Sequence, residues 1–388
     1  MPALEGAAME VRKFSVPEIL CGRGSLQYAA LCAKRLGAQK VFLVSDPGLE
    51  THGWIDRIVT ILRDEKLDWF YFNEVLANPR DHQVEKGAAL YVRENCDVVM
   101  ALGGGSPMDA AKGIAIVASN GGRIHDYEGA NQIQRPLPPM VFMPSTAGSG
   151  ADISQFTIIT DTQRQVKMSI ISRTLVPNIS IIDPDMLATK PRELIIAAAI
   201  DALAHAIEAY VSRIAYTLTE IQSLKAIDLI IQNLPMALEE RSMAALEKLS
   251  TACTSAAMAF SNASLGLDHA LAHSLGGKLD LAHGLIHPVL LPAVMRYNLP
   301  ACRAKMAEIG EIVLGQRVGD EESTARAGIE KLERFFSDLN IGTALRDLVS
   351  EAAVLPQVCR MATHDACLIT NPREAAWEDM LQICEACW

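Results

Sequence analysis

The spacing of a few acidic and imidazole side chains constrains this chain more than any other feature. Asp201 and His205 lie four residues apart in an apolar segment, and His269 and His273 repeat that spacing, with His283 ten residues further on. On an α-helix, residues four apart lie on one face with their Cβ atoms about 5–6 Å from each other. Polar groups on apolar helices are costly to bury without a partner. The pattern therefore predicts two helices that direct ligands at one divalent metal ion.

The alternative interpretation of these histidines is structural. A single histidine in an apolar helix is more often a hydrogen-bonded core residue than a metal ligand. Here, however, five of the nine histidines lie between residues 205 and 287, with His287 as the last of them. This concentration favours a metal site. Imidazole combined with carboxylate suits Fe²⁺, Zn²⁺ or a similar ion better than Ca²⁺ or Mg²⁺.

Length and charge argue against several other classes of protein. At 388 residues the chain exceeds the size at which one hydrophobic core keeps growing, so we expect two domains. The net charge of −11, without a basic cluster, argues against a nucleic-acid partner and against binding to an anionic membrane surface. The apolar run 194–211 contains Asp201, His205 and Glu208, which favours a buried helix over a membrane span.

The N-terminus and the cysteines indicate a compartment. The first residues lack the charged and then apolar pattern of a signal peptide. Nine scattered cysteines, an odd number, suit a reducing cytosol better than a disulfide framework. We therefore expect a cytoplasmic protein. Cys384 and Cys387 have the spacing of a redox motif, but they lack a strand and turn around them, and we expect a frayed helical tail there.

The two halves of the chain have different patterns. Up to residue 190 short apolar runs alternate with helical stretches, and beyond Pro191 helical patterns continue almost to the end. Nearly continuous apolar strands that alternate with helices predict a parallel sheet covered by helices. We expect an α/β domain over 1–190 and an all-helical domain over 191–388. The predicted strands are 40–45, 97–102, 140–143 and 179–182, and two predicted helices are 83–94 and 108–118.

A glycine-rich turn follows the second predicted strand. Gly103, Gly104 and Gly105 precede Ser106 and Pro107. Glycines allow backbone N–H groups to approach an anion, and the N-terminus of the next helix carries a positive partial charge. Ligands of parallel sheets bind beyond the carboxyl ends of the strands, so this turn is a candidate phosphate site. The spacing is not that of a Rossmann or P-loop fingerprint, and a purely structural turn is an equal alternative.

Asp46 ends the first predicted strand at the same edge of the sheet. A carboxylate there accepts hydrogen bonds from a ribose diol and repels a 2′-phosphate, which favours NAD over NADP. The alternative is that Asp46 only starts a turn before Pro47 and Gly48. The residues themselves leave both interpretations open.

The chain resembles the iron-containing (group III) alcohol dehydrogenases. The resemblance extends from Phe14 to Arg373, and its most specific parts are ALGGGSPMDAAKG at 101–113, DALAHAIEAY at 201–210 and the histidines of 269–284. It implies a dehydroquinate synthase-like fold, in which an N-terminal dinucleotide-binding α/β domain precedes an all-helical metal domain. That division agrees with the one predicted from the patterns. The resemblance also implies a small-molecule alcohol or aldehyde as substrate, and we expect a homodimer or larger homo-oligomer.

The resemblance gives individual positions a role. The metal ligands would be Asp201, His205, His269 and His283, while His273 would lie near the nicotinamide. The residues that would bind NAD(H) are Asp46, Gly103, Gly104, Gly105, Ser106, Ser145, Thr146, Ser149, Lys167, Leu187 and His273. The substrate pocket would include Phe260 and Cys367, and we place Gln155 near it.

Three segments depart from the family's pattern. Gly-Thr-Gly-Ser-Glu is replaced by GSGAD at 148–152, the proline before His283 by Ala282, and an asparagine a few residues later by His287. These changes remove none of the predicted ligands. His287 adds a titratable group beside the site, which makes it and His273 candidate proton relays. The alternative for His287 is packing on a helix face beside Pro288.

We therefore expect a metal-dependent, NAD(H)-linked oxidoreductase that interconverts a short-chain primary alcohol and its aldehyde, with Fe²⁺ as the metal and Zn²⁺ as the alternative. The polar surroundings of Ala151, Asp152, Gln155 and His287 favour a substrate with a second polar or anionic group. The alternative functions are a hydroxyacid–oxoacid transhydrogenase, a dehydroquinate synthase-like cyclase and a binding protein without activity. The intact ligand pattern disfavours the last two.

Overall fold

The computed structural model describes residues 12–342 and 344–388. The strands are β1 (Glu18–Cys21), β2 (Lys40–Val44), β3 (Asp68–Phe72), β4 (Val98–Gly103), β5 (Gly129–Ala130), β6 (Met140–Pro144), β7 (Phe156–Asp161), β8 (Val166–Ile171) and β9 (Ile179–Ile182). The α-helices are α1 (Ala29–Arg35), α2 (Pro47–Glu50), α3 (Trp54–Asp64), α4 (Asp81–Arg93), α5 (Gly105–Asn120), α6 (Pro184–Ala188), α7 (Arg192–Val211), α8 (Thr217–Glu239), α9 (Met243–Ala263), α10 (Leu267–Leu279), α11 (His287–Asn298), α12 (Arg303–Leu314), α13 (Glu321–Asp338), α14 (Leu355–Ala362) and α15 (Trp377–Ala386).

Six strands form a parallel sheet in the order β1-β9-β6-β4-β2-β3. The inner strands β4 and β9 are buried along their whole length, as expected when helices cover both faces. Successive side chains of β2 point to opposite faces, so Phe42 enters one apolar core and Leu43 the other. The predicted parallel sheet is confirmed. The sequence reasoning missed its two edge strands, β1 and β3.

An antiparallel hairpin, β7 and β8, stands apart from this sheet, and the sequence reasoning missed it too. Its first strand alternates buried and half-buried residues, the period of a strand with two different faces. The buried Lys112 of α5 donates from Nζ to the carbonyls of Ser154 (2.7 Å) and Phe156 (2.8 Å), which fixes the start of the hairpin. A methyl group on Gly277 of α10 would lie only 3.1 Å from the backbone nitrogen of Lys167. The hairpin therefore contacts the helical part of the chain closely.

Beyond Ile182 the described residues form helices without strands, as the sequence predicted. By length and composition alone, helix α7 could cross a membrane. However, 89% of its 18-residue apolar stretch is buried inside the protein. Its apolar side chains pack in one core with those of α8, α9, α12 and α13. This agrees with the prediction of a buried helix that carries site residues.

The C-terminal tail differs from its prediction. Residues 377–386 form helix α15, in which Met380 and Cys384 are fully buried. The Sγ atom of Cys384 lies 4.0 Å from that of Cys359 on α14. The expected helix is confirmed, but the expectation that it is frayed was wrong, because its apolar side chains complete a core with α10, α11 and α14.

Candidate metal and nucleotide site

A single cavity brings together most of the predicted site residues. It lies between the turn that follows β4, the hairpin, and helices α7, α9 and α10. Ligands of parallel sheets bind at this edge. The predicted residues that line the cavity are Gly105, Ser106, Ser149, Lys167, Asp201, His205, Phe260, His269, His273, His283 and Cys367.

Four imidazoles surround one carboxylate oxygen at the inner end of this cavity. The Oδ1 atom of Asp201 lies 3.6 Å from Nε2 of His205, 3.6 Å from that of His269 and 3.8 Å from that of His283. Nε2 of His287 is nearer still, at 3.3 Å. Donor atoms that bind one ion at about 2.1 Å in a tetrahedral arrangement are about 3.4 Å apart. The spacing therefore fits a shared divalent ion.

The hydrogen bonding of these atoms supports the same conclusion. Oδ1 of Asp201 and Nε2 of His269 are buried and have no hydrogen-bond partner within the described residues. Buried polar atoms are normally satisfied, so exceptions need an explanation such as the binding of an ion. A metal ion would satisfy both atoms at once.

Two buried carboxylates orient two of the rings. Glu208 Oε2 lies 2.7 Å from Nδ1 of His269, and Asp268 Oδ2 lies 2.5 Å from Nδ1 of His287. A carboxylate on one ring nitrogen holds the proton there and leaves the other nitrogen free to bind a metal. Glu208 also accepts from the backbone nitrogen of Asp268 at 2.7 Å, which fixes the start of α10 relative to α7.

The pKa values of the cluster differ from one ring to the next. Burial alone would raise the pKa of Asp201, but His205, His269 and His287 hold it well below its usual range. Burial lowers the pKa of His205 to about 3, and burial with the neighbouring His287 lowers that of His283. An anionic Asp201 and neutral His205 and His283 are in the protonation states that a metal requires. Despite burial, Asp201 and Glu208 raise the pKa of His269, and Asp268 and Asp201 raise that of His287 to about 10, so a metal would displace a proton from these two rings.

His205 lies at the edge of the cluster. Its ring stacks on Phe260, with centroids 4.3 Å apart, and on His269 at 4.5 Å. One set of ligand atoms that all lie within 4.8 Å of one another contains Asp201, His269, His283 and His287 but not His205. Phe260 therefore borders both the cavity and a predicted ligand.

His273 occupies a different position from the other rings. It lines the cavity, and its Nδ1 lies 2.8 Å from Oδ2 of Asp365, whose other oxygen accepts from the backbone nitrogen of Cys367 at 2.8 Å. The turn at 365–367 therefore positions both His273 and Cys367. An imidazole that faces a cavity while a carboxylate fixes its other nitrogen can hold and transfer a proton.

The nucleotide end of the cavity consists mainly of backbone. Gly104 precedes α5 without any side chain that caps the helix, so the first N–H groups are available to an anion. Gly103 has a φ of 154°, and a methyl group there would lie 2.7 Å from Cγ of Pro107. A methyl group on Gly105 would lie 2.9 Å from Cβ of Ser149. Side chains at these two glycines would therefore disturb the turn as well as any ligand.

Three predicted nucleotide residues lie in a second, smaller pocket. Ser145, Thr146 and Leu187 line it together with Asp152. The Asp152 carboxylate accepts a hydrogen bond from the hydroxyl of Ser180 at 2.5 Å. The aspartate that replaces the family's glutamate at position 152 is therefore hydrogen-bonded inside the protein. The two pockets lie on either side of the loop 145–149.

Asp46 and Gln155 line neither pocket. Asp46 caps helix α2, with Oδ1 accepting from the backbone nitrogen of Gly48 at 2.9 Å. Its other oxygen would lie 3.2 Å from a methyl group on Gly103, which places it beside the glycine turn. This position is compatible with both roles of Asp46, a residue that only starts a turn and a carboxylate that binds a ribose diol. Gln155 donates its side-chain amide to the carbonyl of Ser261, so the amide is already occupied.

The sequence reasoning missed three carboxylates that orient imidazoles: Glu208, Asp268 and Asp365. For Glu208 a signal existed, because it lies seven residues after Asp201 on the same face of α7. Asp268 directly precedes His269, but its partner His287 is 19 residues away. Asp365 is 92 residues from His273, and no local pattern connects the two.

Both parts of the chain match models of one protein family. Residues 17–184 match the model described as iron-containing alcohol dehydrogenase, and residues 195–388 match the C-terminal model of the Fe-containing alcohol dehydrogenase family. The chain belongs to the iron-containing alcohol dehydrogenase family. The two models therefore cover the sheet and helical parts separately.

Individual relatives agree with this assignment over nearly the whole chain. The 1,3-propanediol dehydrogenase of Citrobacter freundii is 38% identical, over 97% of this chain and 99% of that protein. The NAD-dependent methanol dehydrogenase of Bacillus methanolicus is 36% identical, over 95% of this chain and 98% of that protein. A crystal structure of a 1,3-propanediol oxidoreductase superposes with a TM-score of 0.95 at 35% identity, covering 98% of this chain and 100% of the other.

This iron-containing alcohol dehydrogenase is a metal-dependent, NAD(H)-linked oxidoreductase that interconverts alcohols and aldehydes. A divalent ion at such a site supplies Lewis-acid polarisation of the substrate oxygen. Asp201, His205, His269 and His283 would hold the ion, while the N-terminus of α5 would hold the cofactor's phosphates. His273 faces the cavity between these two ends.

Proposed function

We propose that this protein reduces a short-chain aldehyde with a second polar group to its primary alcohol, and catalyses the reverse oxidation, with NAD(H). The observation that carries the proposal is the single cavity, which joins the Asp201 cluster to the start of α5. A substrate oxygen and a nicotinamide can therefore meet beside His273.

The shape of the cavity supports a small substrate. Phe260 lies against His205, and its ring also contacts Phe156 with centroids 6.0 Å apart. These two rings and Leu265 form an apolar wall next to the metal ligands. Bulky groups on the reacting carbon would collide with this wall, so an unhindered aldehyde fits best.

The polar part of the lining supports the second polar group. Ser154, Thr160, Ser169 and Lys167 also line the cavity, and burial lowers the pKa of Lys167. Plain alkyl chains would leave such groups without partners, which disfavours their binding. The relative named 1,3-propanediol dehydrogenase agrees with a hydroxyl as that group.

The test is a comparison of three-carbon aldehydes with iron-loaded enzyme under anaerobic conditions. We expect kcat/KM with NADH to be at least about tenfold higher for 3-hydroxypropanal or 3-oxopropanoate than for propanal, because one unpaired polar group costs on the order of 1–3 kcal/mol. Equal or higher efficiency with propanal would contradict the proposal and leave a general short-chain alcohol dehydrogenase. The same assay after loading with Zn²⁺ compares the two candidate metals.

We also propose a cytoplasmic homo-oligomer, a dimer or larger. All nine cysteines lie within the described residues and are free, which supports a reducing compartment. Light scattering of the purified protein measures its mass, and a monomer at micromolar concentration would contradict the assembly. Fractionation of cells that produce the protein tests its location.

A further inference from the structure

His287 is the imidazole that the family's pattern does not account for. It is the first residue of α11, its ring is completely buried, and its Nε2 lies 3.3 Å from Oδ1 of Asp201. This is the shortest of the four imidazole distances to that oxygen. Its Nε2 also lies 3.4 Å from Nε2 of His283. His287 therefore lies inside the cluster and not on a packing face beside Pro288.

The orientation of His287 matches that of a predicted ligand. Nδ1 of His287 contacts Asp268 at 2.5 Å, just as Nδ1 of His269 contacts Glu208 at 2.7 Å. Both carboxylates are buried. Metal-binding histidines almost always have such a partner on the second nitrogen, which fixes the ring and increases its basicity. In both residues the free nitrogen points at Asp201.

His287 also approaches the cluster from a side that does not border the cavity. His205, His269, His273 and His283 all line the cavity, whereas His287 does not. A bond from His287 to a metal would therefore occupy a position away from the cavity. The side that faces substrate would stay open.

We propose that His287 is a direct ligand of the metal in this protein, in addition to the ligands that the family's pattern gives. The ligand atoms of Asp201, His269, His283 and His287 lie within 4.8 Å of one another, and Nε2 of His205 lies 3.6 Å from Oδ1 of Asp201, so small movements bring these donors to one ion. The proposal rests on the metal dependence of the family and is independent of the substrate proposed above. The competing role for His287 is only to donate a hydrogen bond from Nε2 to Asp201.

The test measures Zn²⁺ affinity of the metal-free full-length protein by competition with a chromophoric chelator. The variants are His287→Asn, Asp268→Asn and, as the matched control, His273→Asn. We expect His287→Asn to weaken Zn²⁺ binding by at least about 100-fold and Asp268→Asn by about 10- to 100-fold, since loss of an orienting partner has that effect. His273→Asn should bind Zn²⁺ like the unaltered protein, because its ring partners Asp365 and lies outside the compact set.

A second readout separates ligation from folding. X-ray absorption of the Zn²⁺-loaded proteins should show one imidazole fewer in His287→Asn than in the unaltered protein, and no change in His273→Asn. Thermal unfolding of the metal-free variants measures stability, and the isosteric Asp268→Asn variant provides the affinity comparison if His287→Asn does not fold. Unchanged affinity in His287→Asn, or in a folded Asp268→Asn when His287→Asn fails to fold, would overturn the proposal. An unaltered protein that binds Zn²⁺ but reduces no aldehyde would contradict only the proposed function.

Discussion

The two ends of the cavity are built in different ways. At the metal end side chains form the site, and Glu208 and Asp268 orient two of the imidazoles. At the nucleotide end the glycine turn and the uncapped start of α5 offer backbone N–H groups. A site built from oriented side chains depends strongly on each of them, because losing one leaves buried polar partners unsatisfied. A backbone site depends on chain geometry, so changes of single side chains around it should have smaller effects.

The largest effect should come from removing a ligand at the metal end. We expect His269→Ala to lose bound iron and to lower NADH-dependent aldehyde reduction by more than about 1000-fold, because the metal supplies several kcal/mol of charge stabilisation. The two cores that flank the sheet contain no residue of α10, so that part of the fold should persist. Elemental analysis and circular dichroism measure both outcomes.

The matched control for His269→Ala is His82→Ala. His82 is largely exposed at the start of α4 and lies outside the cavity. Its loss should change neither the iron content nor the rate. If His269→Ala retained stoichiometric iron, the assignment of the ligands would be wrong.

A smaller effect should come from His273, which lies between the two ends. His273→Asn should retain the metal and lower kcat by about 10²- to 10⁴-fold, the usual contribution of a positioned proton-transfer group. Asp365→Asn should lower kcat less, because it removes only the partner that orients the ring. Metal analysis and the pH dependence of kcat for both variants provide the check. A metal-free His273→Asn protein would show instead that His273 is a ligand.

The smallest effect should come from Asp46 at the nucleotide end. We expect Asp46→Asn to lower kcat/KM for NADH by about tenfold and to raise it for NADPH, because the variant loses the charge that repels a 2′-phosphate. Asparagine caps helices about as well as aspartate, so the cap on α2 should remain. Steady-state kinetics with both cofactors measure the preference. An unchanged NADH to NADPH ratio would leave Asp46 as a turn residue only.

The difference between local sequence patterns and tertiary contacts explains how much of the structure was predictable from sequence. Helical spacing identified the pairs Asp201 with His205 and His269 with His273, because residues four apart share a helix face whatever the rest of the fold does. The choice of His283 over His273 as a ligand came from the family resemblance. The central strands were equally clear, since their apolar runs are nearly continuous. The relation between His273 and Asp365 was not predictable, because only the tertiary fold brings α10 to that turn.

The elements that the sequence did not predict combine buried side chains with partly exposed ones. Strand β1 is only half-buried, and β7 alternates between the cavity region and the interior, so neither has a continuous apolar run. The C-terminal helix was taken as frayed because the sequence does not show that its apolar face meets α10 and α14. The position of His287 within the cluster likewise depended on how α11 meets α7.

The most direct test of the account is a titration of the metal-free protein with Fe²⁺ under anaerobic conditions, in which NADH consumption with 3-hydroxypropanal is followed at each addition. We predict that the rate rises in proportion to the iron bound at the Asp201 cluster and reaches its maximum at about one ion per chain, because this cluster, with its carboxylate and imidazoles, is where the ion would act on the substrate. Full activity in the metal-free protein, or a fully loaded protein that consumes no NADH, would contradict the central claim that this cluster is the catalytic metal site.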